Sequence, residues 1–155
     1  MFRLGVISDT HGFFDPKVAE LFQGVDHILH AGDVGRTAVL DELRVLAPVT
    51  AVQGNVAGPE LGLRLTEFVE LAGSGFLLHH IVNPRHLGDD LLRRIAINRP
   101  TVVVFGHSHQ QFCQTLDGVL FFNPGYAGQA RFNAPRSVAI LQCDAAGPQT
   151  QFHAL

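Results

Sequence analysis

Five places in this 155-residue sequence set chemically competent side chains directly behind a short apolar run. RLGVIS (3–8) leads into Asp9-Thr10-His11, HILHA (27–31) into Gly32-Asp33, and VTAVQ (49–53) into Gly54-Asn55. GFLL (75–78) leads into His79-His80, and TVVVF (101–105) into Gly106-His107-Ser108-His109. Singly, each has an ordinary explanation: an aspartate caps a helix, an asparagine holds a turn, a histidine sits satisfied at a surface. Five together suggest donors converging on cations. Carboxylate and imidazole without cysteine suit Mn, Fe, Co, Ni or Zn better than Mg or Ca. Two ions about 3.5–4 Å apart need a bridging carboxylate with further donors on either side. Asp33, in the middle of the series, is the natural bridge. Asp9/His11 and His107/His109 are each spaced i, i+2, which in extended backbone aims both side chains one way and turns Thr10 and Ser108 elsewhere. The glycines before Asp33, Asn55 and His107 are expected to let the backbone turn sharply.

Positioning such residues calls for strands that end together, and in open α/β sheets ligands bind beyond the carboxyl ends of the strands. The runs 3–8, 27–30, 49–53, 76–79 and 101–105 read as strands. Three helices fall between them. The first has Asp15 as N-cap and Pro16 at its first position. The second presents Val39, Leu40, Leu43, Leu46 and Ala47 on one face and stops at Pro48. The third begins near Asp89 and Asp90 and is expected to bury Leu91, Leu92, Ile95 and Ala96. After Gly106 the pattern changes to FCQTL, VLFFN and SVAILQC, with Asp117-Gly118 as a tight turn. The reading is an α/β sandwich with mixed sheets, as one domain over residues 1–155.

Composition excludes several classes. Hydrophobic content of 46% with 16% charge is globular, not disordered. No apolar run approaches the ~18 residues of a membrane span, and MFRLGVISD reads as a strand, not a signal peptide. A net charge of −3 with a single lysine argues against general nucleic-acid binding. Cys113 and Cys143 read as buried free thiols, and a cytoplasmic location is expected. Nine histidines are conspicuous in so short a chain.

The ordered set DTHG, GD, GN, a strand-end histidine and GHSH resembles the calcineurin-like metallophosphoesterases. The short length and NPG at 123–125 are similar to the small single-domain bacterial and archaeal phosphodiesterases of that family. The resemblance runs from the first strand to about Leu141. It implies a four-layer α/β/β/α sandwich of two mixed sheets flanked by helices, with a dinuclear centre at the strand ends. By the same resemblance Asp9, His11, Asp33 and His109 would hold one ion, and Asp33, Asn55, His80 and His107 the other. His80 takes precedence over His79 from its place after Leu77 and Leu78, although Ile81 stands where the family's THG has glycine. Two divalent transition-metal ions are implied, manganese first, with nickel, iron, zinc or cobalt as alternatives.

Where many members of that family have a histidine and then an acidic residue after the GN asparagine, this chain has Val56 and Ala57, which cannot transfer a proton. Asp33 and Asn55 as ligands at the reacting phosphorus, and His79 as the nearest replacement donor, make up the expected catalytic set. Asn123 and Arg131 are expected at the substrate, and His30 is near enough to Asp33 to orient a ligand. The function expected is hydrolysis of a phosphodiester by a metal-held hydroxide. The alternative is a weakly active or inactive protein-interaction scaffold, as the retromer subunit of this fold. A scaffold has no reason to keep seven converging donors, because unpaired buried polar groups are destabilising. The partner expected is a small phosphate ester, with no membrane; a homo-oligomer is compatible with the sequence.

Overall fold

The computed structural model describes residues 1–55 and 61–155. Val56 and Ala57, with residues 58–60, lie outside the described residues. Strand–helix alternation early in the chain builds β1 (Phe2–Ile7), α1 (Pro16–Leu21), β2 (His27–His30), α2 (Thr37–Leu46) and β3 (Val49–Ala51). Then follow β4 (Thr66–Leu71), β5 (Ser74–His79), α3 (Asp89–Asn98) and β6 (Val102–Val104). The chain closes with β7 (Phe112–Leu116), β8 (Val119–Asn123), β9 (Ser137–Asp144) and β10 (Gly147–Ala154). The strands form two five-stranded sheets, ordered β10-β9-β1-β2-β3 and β4-β5-β6-β8-β7. Each has a parallel trio, β1-β2-β3 or β5-β6-β8, extended by antiparallel strands.

Side-chain alternation sorts the apolar residues into three cores. Leu4, Val6, Leu29, Phe76, Leu78, Val102 and Val104 fill the layer between the sheets. Ile7 and Ile28 pack outward against Val18 and Phe22 around α1 and against Val39, Leu40 and Leu43 of α2. Leu77, Val103 and Phe121 pack outward against Leu91 of α3. The result is the four-layer α/β/β/α sandwich of two mixed sheets. Gly5 lies where a Cβ would meet the Phe22 ring at 2.8 Å, so glycine in the middle of β1 is what lets α1 pack against its sheet.

Local signals explain the helix ends. Asp15 accepts from the Lys17 N–H at 2.9 Å and is held by Arg136 Nη2, also at 2.9 Å. The α2 boundary before Pro48 and the acidic first turn of α3 are as the sequence suggests. Two expectations are corrected. Leu92 and Ala96 of α3 are exposed, because a helix covering one face of one sheet buries only the narrow stripe through Leu91 and Ile95. Cys113 is exposed on the edge strand β7, with its sulfur 3.5 Å from Thr150 Oγ1, whereas Cys143 is buried. Among the described residues no helix is long and apolar enough to cross a membrane.

Candidate metal centre

Cross-strand backbone bonds draw the loops behind β1, β2, β5 and β6 together. Asp9 N–H donates to Gly32 O at 3.0 Å, His11 N–H to Asp33 O at 2.9 Å, and Gly106 N–H to His80 O at 3.0 Å. The backbone here is not extended. Asp9, His11, Asp33, His107 and His109 all have positive φ, between 48° and 69°. The i, i+2 pairs therefore converge through left-handed turns and not through strand alternation, which corrects the geometric argument made from spacing. Aspartate and histidine are among the side chains that tolerate this region.

The glycines also act differently from expectation. Gly32 does have a positive φ of 109°. Gly54 and Gly106 do not; they are small because the side chains of Asp33, Ser8 and Asp9 lie against them. A Cβ on Gly106 would collide with Ser8 Oγ and lie 2.6 Å from Asp9 Oδ2, and one on Gly54 would collide with Asp33 Oδ1 and its backbone nitrogen. Gly54→Ala and Gly106→Ala are therefore expected to leave far-ultraviolet dichroism unchanged but weaken metal binding about 10–100-fold, as displaced ligand supports do. A metal titration giving wild-type affinity would refute that role.

The side chains meet in two overlapping groups whose ligand atoms lie within 4.8 Å of one another: Asp9, His11 and His109, and Asp9, Asp33 and His80. Asp9 Oδ2 accepts from Ser8 Oγ at 2.7 Å and from His107 N–H at 3.1 Å. Asp9 Oδ1 is buried without a hydrogen-bond partner. It faces ring nitrogens of His109 at 3.3 Å, His80 at 3.7 Å and His11 at 3.8 Å. His80 Nδ1 lies 2.7 Å from Ala31 O and must donate to it. Its Nε2 lies 3.2 Å from Asp33 Oδ2, and in the tautomer with its proton on Nδ1 it is a free acceptor. His11 Nε2 lies 3.8 Å from the same oxygen and 3.4 Å from His109 Nε2. The inward atom of the Asn55 amide lies 2.8 and 3.0 Å from the Asp33 oxygens and 3.2 Å from His80 Nε2. An amide nitrogen there donates to all three; an amide oxygen there faces only acceptors and needs a cation among them.

An orphaned buried carboxylate oxygen and acceptors that confront acceptors are what a cation site looks like, so the donor set fits divalent metal. Burial holds the His109 pKa below the ordinary imidazole value, which keeps its ring neutral and available as a donor. His107 is more exposed; its ring stands 5.4 Å from that of His80, edge to face.

Around this cluster the remaining residues take up their places. By strand alternation His80 continues the inter-sheet face of Phe76 and Leu78, whereas His79 continues the Leu77 face toward α3. His79 Nδ1 lies 2.8 Å from Thr66 Oγ1. Asn123, expected at the substrate, is instead fully buried. Its Nδ2 donates to Gly106 O and Ser108 Oγ, both at 3.1 Å, and its Oδ1 accepts from Gly125 N–H. It braces the turn that carries His107 and His109. Arg131 is exposed, its guanidinium 5.1 Å from the Tyr126 ring.

Two supports were not legible beforehand. The Tyr126 ring stacks on His109 at 4.6 Å, while its hydroxyl donates to Gln129 O. Ser8 fixes the Asp9 rotamer; only its place beside Asp9 hinted at this. His30 is fully buried and holds loops, not metal. Thr10 Oγ1 donates to Val34 O, so His30 Nε2–H donates to Thr10 at 3.0 Å, and its Nδ1 accepts from Gly32 N–H. A second ring proton would face that N–H. Burial, then the nearby His80 and His11, hold the His30 pKa down to about 3 from 6.5. As pH falls the unfolded chain takes up this proton first, so the stabilisation is complete above about 6.5 and is lost progressively toward about 3. Urea midpoints of metal-free protein should fall through that window, and His30→Gln should start lower at pH 7 but fall less steeply. Parallel slopes in the two proteins would count against this account.

The sequence profile of the calcineurin-like phosphoesterase superfamily domain matches residues 2–146. A probable metallophosphoesterase of Methanothermobacter thermautotrophicus is 37% identical over 151 residues, covering 91% of this chain and 86% of that protein. A phosphodiesterase of Methanocaldococcus jannaschii is 28% identical over 141 residues, covering 79% and 82%. Among solved structures, one described as a novel archaeal phosphodiesterase superposes with a TM-score of 0.81 at 24% identity, covering 99% and 100%. Vps29 from Entamoeba histolytica, complexed with zinc, superposes with a TM-score of 0.75 at 21% identity, covering 99% of each chain.

Proposed function

This chain belongs to the calcineurin-like phosphoesterase superfamily, a metal-dependent family, and from that premise we propose that it is a phosphodiesterase working at a dinuclear centre. The observation that carries the reading is Asp9 Oδ1, buried without a hydrogen-bond partner and shared by both donor groups. Asp9, His11, Asp33 and His109 hold one ion; Asp33, Asn55, His80 and His107 hold the other. Bound divalent ions supply charge neutralisation at phosphorus and a more acidic water. The chain's own residues fix the geometry. Ser8 and the His107 N–H leave Asp9 one oxygen for metal. Ala31 O sets the His80 tautomer. Tyr126 holds the His109 ring from behind, and Arg131, at the rim, meets the phosphate.

Manganese is the preferred metal, and the protein works in the cytoplasm. The likeness to Vps29 is one of fold and by itself makes no scaffold of this chain; the donors converging beside Asp9 weigh for chemistry.

Two divalent ions against two carboxylates leave a positive site that suits a phosphate anion. Protein reconstituted with Mn should contain about two ions per chain, cleave bis(p-nitrophenyl) phosphate, and be inhibited competitively by inorganic phosphate. Phosphate binding should vanish on chelation. Absence of metal after reconstitution would sink the dinuclear reading, and equal phosphate affinity with and without metal would move the anion site elsewhere.

A further inference from the structure

A cavity of about 290 Å³ opens directly off the Asn55 and His80 side of the metal centre. Leu65 and Ile81 form its apolar walls, with Gln53 and His79 completing them. Both aliphatic residues are unusually open for their type, Leu65 62% and Ile81 53% exposed. A second cavity of about 320 Å³, beside Asn83, His86 and Asp90, shares His79 and Ile81 with the first, and the two together make a groove. The described lining of this groove has no lysine or arginine. The neighbouring Arg94 is held by Asp90, Nε to Oδ2 at 3.0 Å. An anionic group lying in the groove would thus meet a carboxylate and, among the described lining residues, no free cation, whereas an apolar group would cover Leu65 and Ile81.

We propose that this groove is the subsite for one ester arm of the substrate and selects phosphodiesters whose arm is uncharged and apolar. The proposal rests on the phosphoesterase reading, since it needs phosphorus at the metal centre with the arm leaving past Asn55 and His80. Glycine at the position of Ile81 would leave the wall between the two cavities open; isoleucine gives the arm a surface to lie on.

Binding tests this without relying on turnover. Phenylphosphonate, methylphosphonate and 2-carboxyethylphosphonate are titrated calorimetrically into Mn-loaded protein. Phenylphosphonate should bind about tenfold more tightly than methylphosphonate, equivalent to about 1.4 kcal/mol, and the carboxyethyl compound no more tightly than the methyl one. Leu65→Ser combined with Ile81→Ser, both at exposed positions, should shrink the phenyl preference to about twofold or less and leave methylphosphonate binding unchanged. Equal binding of phenyl and methyl compounds to the wild type overturns the groove while sparing the phosphoesterase reading. A phenyl preference that survives the double substitution, or tighter binding of the carboxyethyl compound, overturns it too. Failure of all three to bind overturns the phosphate site at the metal centre, and the groove with it.

Discussion

Asp33→Ala should bind neither ion and lose essentially all esterase activity, while its metal-free form remains folded. Asp33 belongs to one donor group, beside Asn55 and His80, and its Oδ2 also lies 3.8 Å from His11 Nε2 of the other. Asp9 has one oxygen committed to Ser8 and to the His107 N–H, so it offers metal a single atom. With Asp33 as the proposed bridge, its removal would take a ligand from both ions, whereas Asn55→Ala should weaken mainly one. A ligand at a hundred times its Kd stabilises a fold by about 2.7 kcal/mol. Wild-type melting should rise accordingly on adding Mn, and the Asp33→Ala curve should not move. Elemental analysis beside these melts is decisive: full metal content in Asp33→Ala would place the bridge on another residue, Asp9 first.

The second large effect is expected from the leaving group. Hydrolysis needs a nucleophile, stabilisation of charge on phosphorus, and a departing oxygen that tolerates its electrons. Val56 and Ala57 cannot donate a proton to that oxygen. A p-nitrophenolate leaves without help; a ribosyl or glyceryl alkoxide does not. General-acid assistance is worth about 10²–10⁴-fold, and its loss should fall almost wholly on alkyl esters. Rates should decline steeply with leaving-group pKa, and Val56→His should raise alkyl turnover more than aryl. His79 is the residue that could overturn this, for it lines the cavity shared with Asn55 and His80. Its burial lowers its pKa, so the protonated ring that a donor requires is scarcer at neutral pH than for an ordinary histidine. Were alkyl diesters cleaved as fast as aryl ones, with His79→Ala abolishing only the former, the acid would have moved to β5.

Much of this architecture was legible because buried features leave strong local signals. The Asp117-Gly118 turn was read from its residue types, and both residues have the positive φ that a tight hairpin needs. β4 and β10 gave no such signal. TEFVEL and GPQTQFHA are the outer strands of their sheets, with half-exposed or exposed residues nearly throughout, so neither carries the apolar run by which β5 or β6 is recognised. That Asp9, His11, Asp33, His80 and His109 cluster could be expected from order and type. How they converge could not, because residues 9, 11, 33, 107 and 109 depend on left-handed backbone that spacing does not encode. Nor could spacing distinguish Gly32, needed for its φ, from Gly54 and Gly106, needed for their lack of a Cβ. Asn123 was misplaced for a similar reason: an amide at a loop can face a substrate or brace a turn, and only its neighbours decide.

The order of strands also sets a schedule for making the protein. β1 is synthesised first, yet its place is inside its sheet, between β2 and β9. β9 begins at Ser137, roughly 130 residues after β1 ends. At about 5–20 residues per second, a ribosome leaves one edge of β1 unpaired for roughly 6–26 s. Throughout that interval FRLGVI is an open template for another strand. Asp9 stands two residues beyond the end of that unfinished strand, and His80, His107 and His109, which it faces across the finished site, are made only during the same wait. Metal capture by the proposed centre would therefore come late in biogenesis: ions could lock a nearly finished fold, but could not seed one.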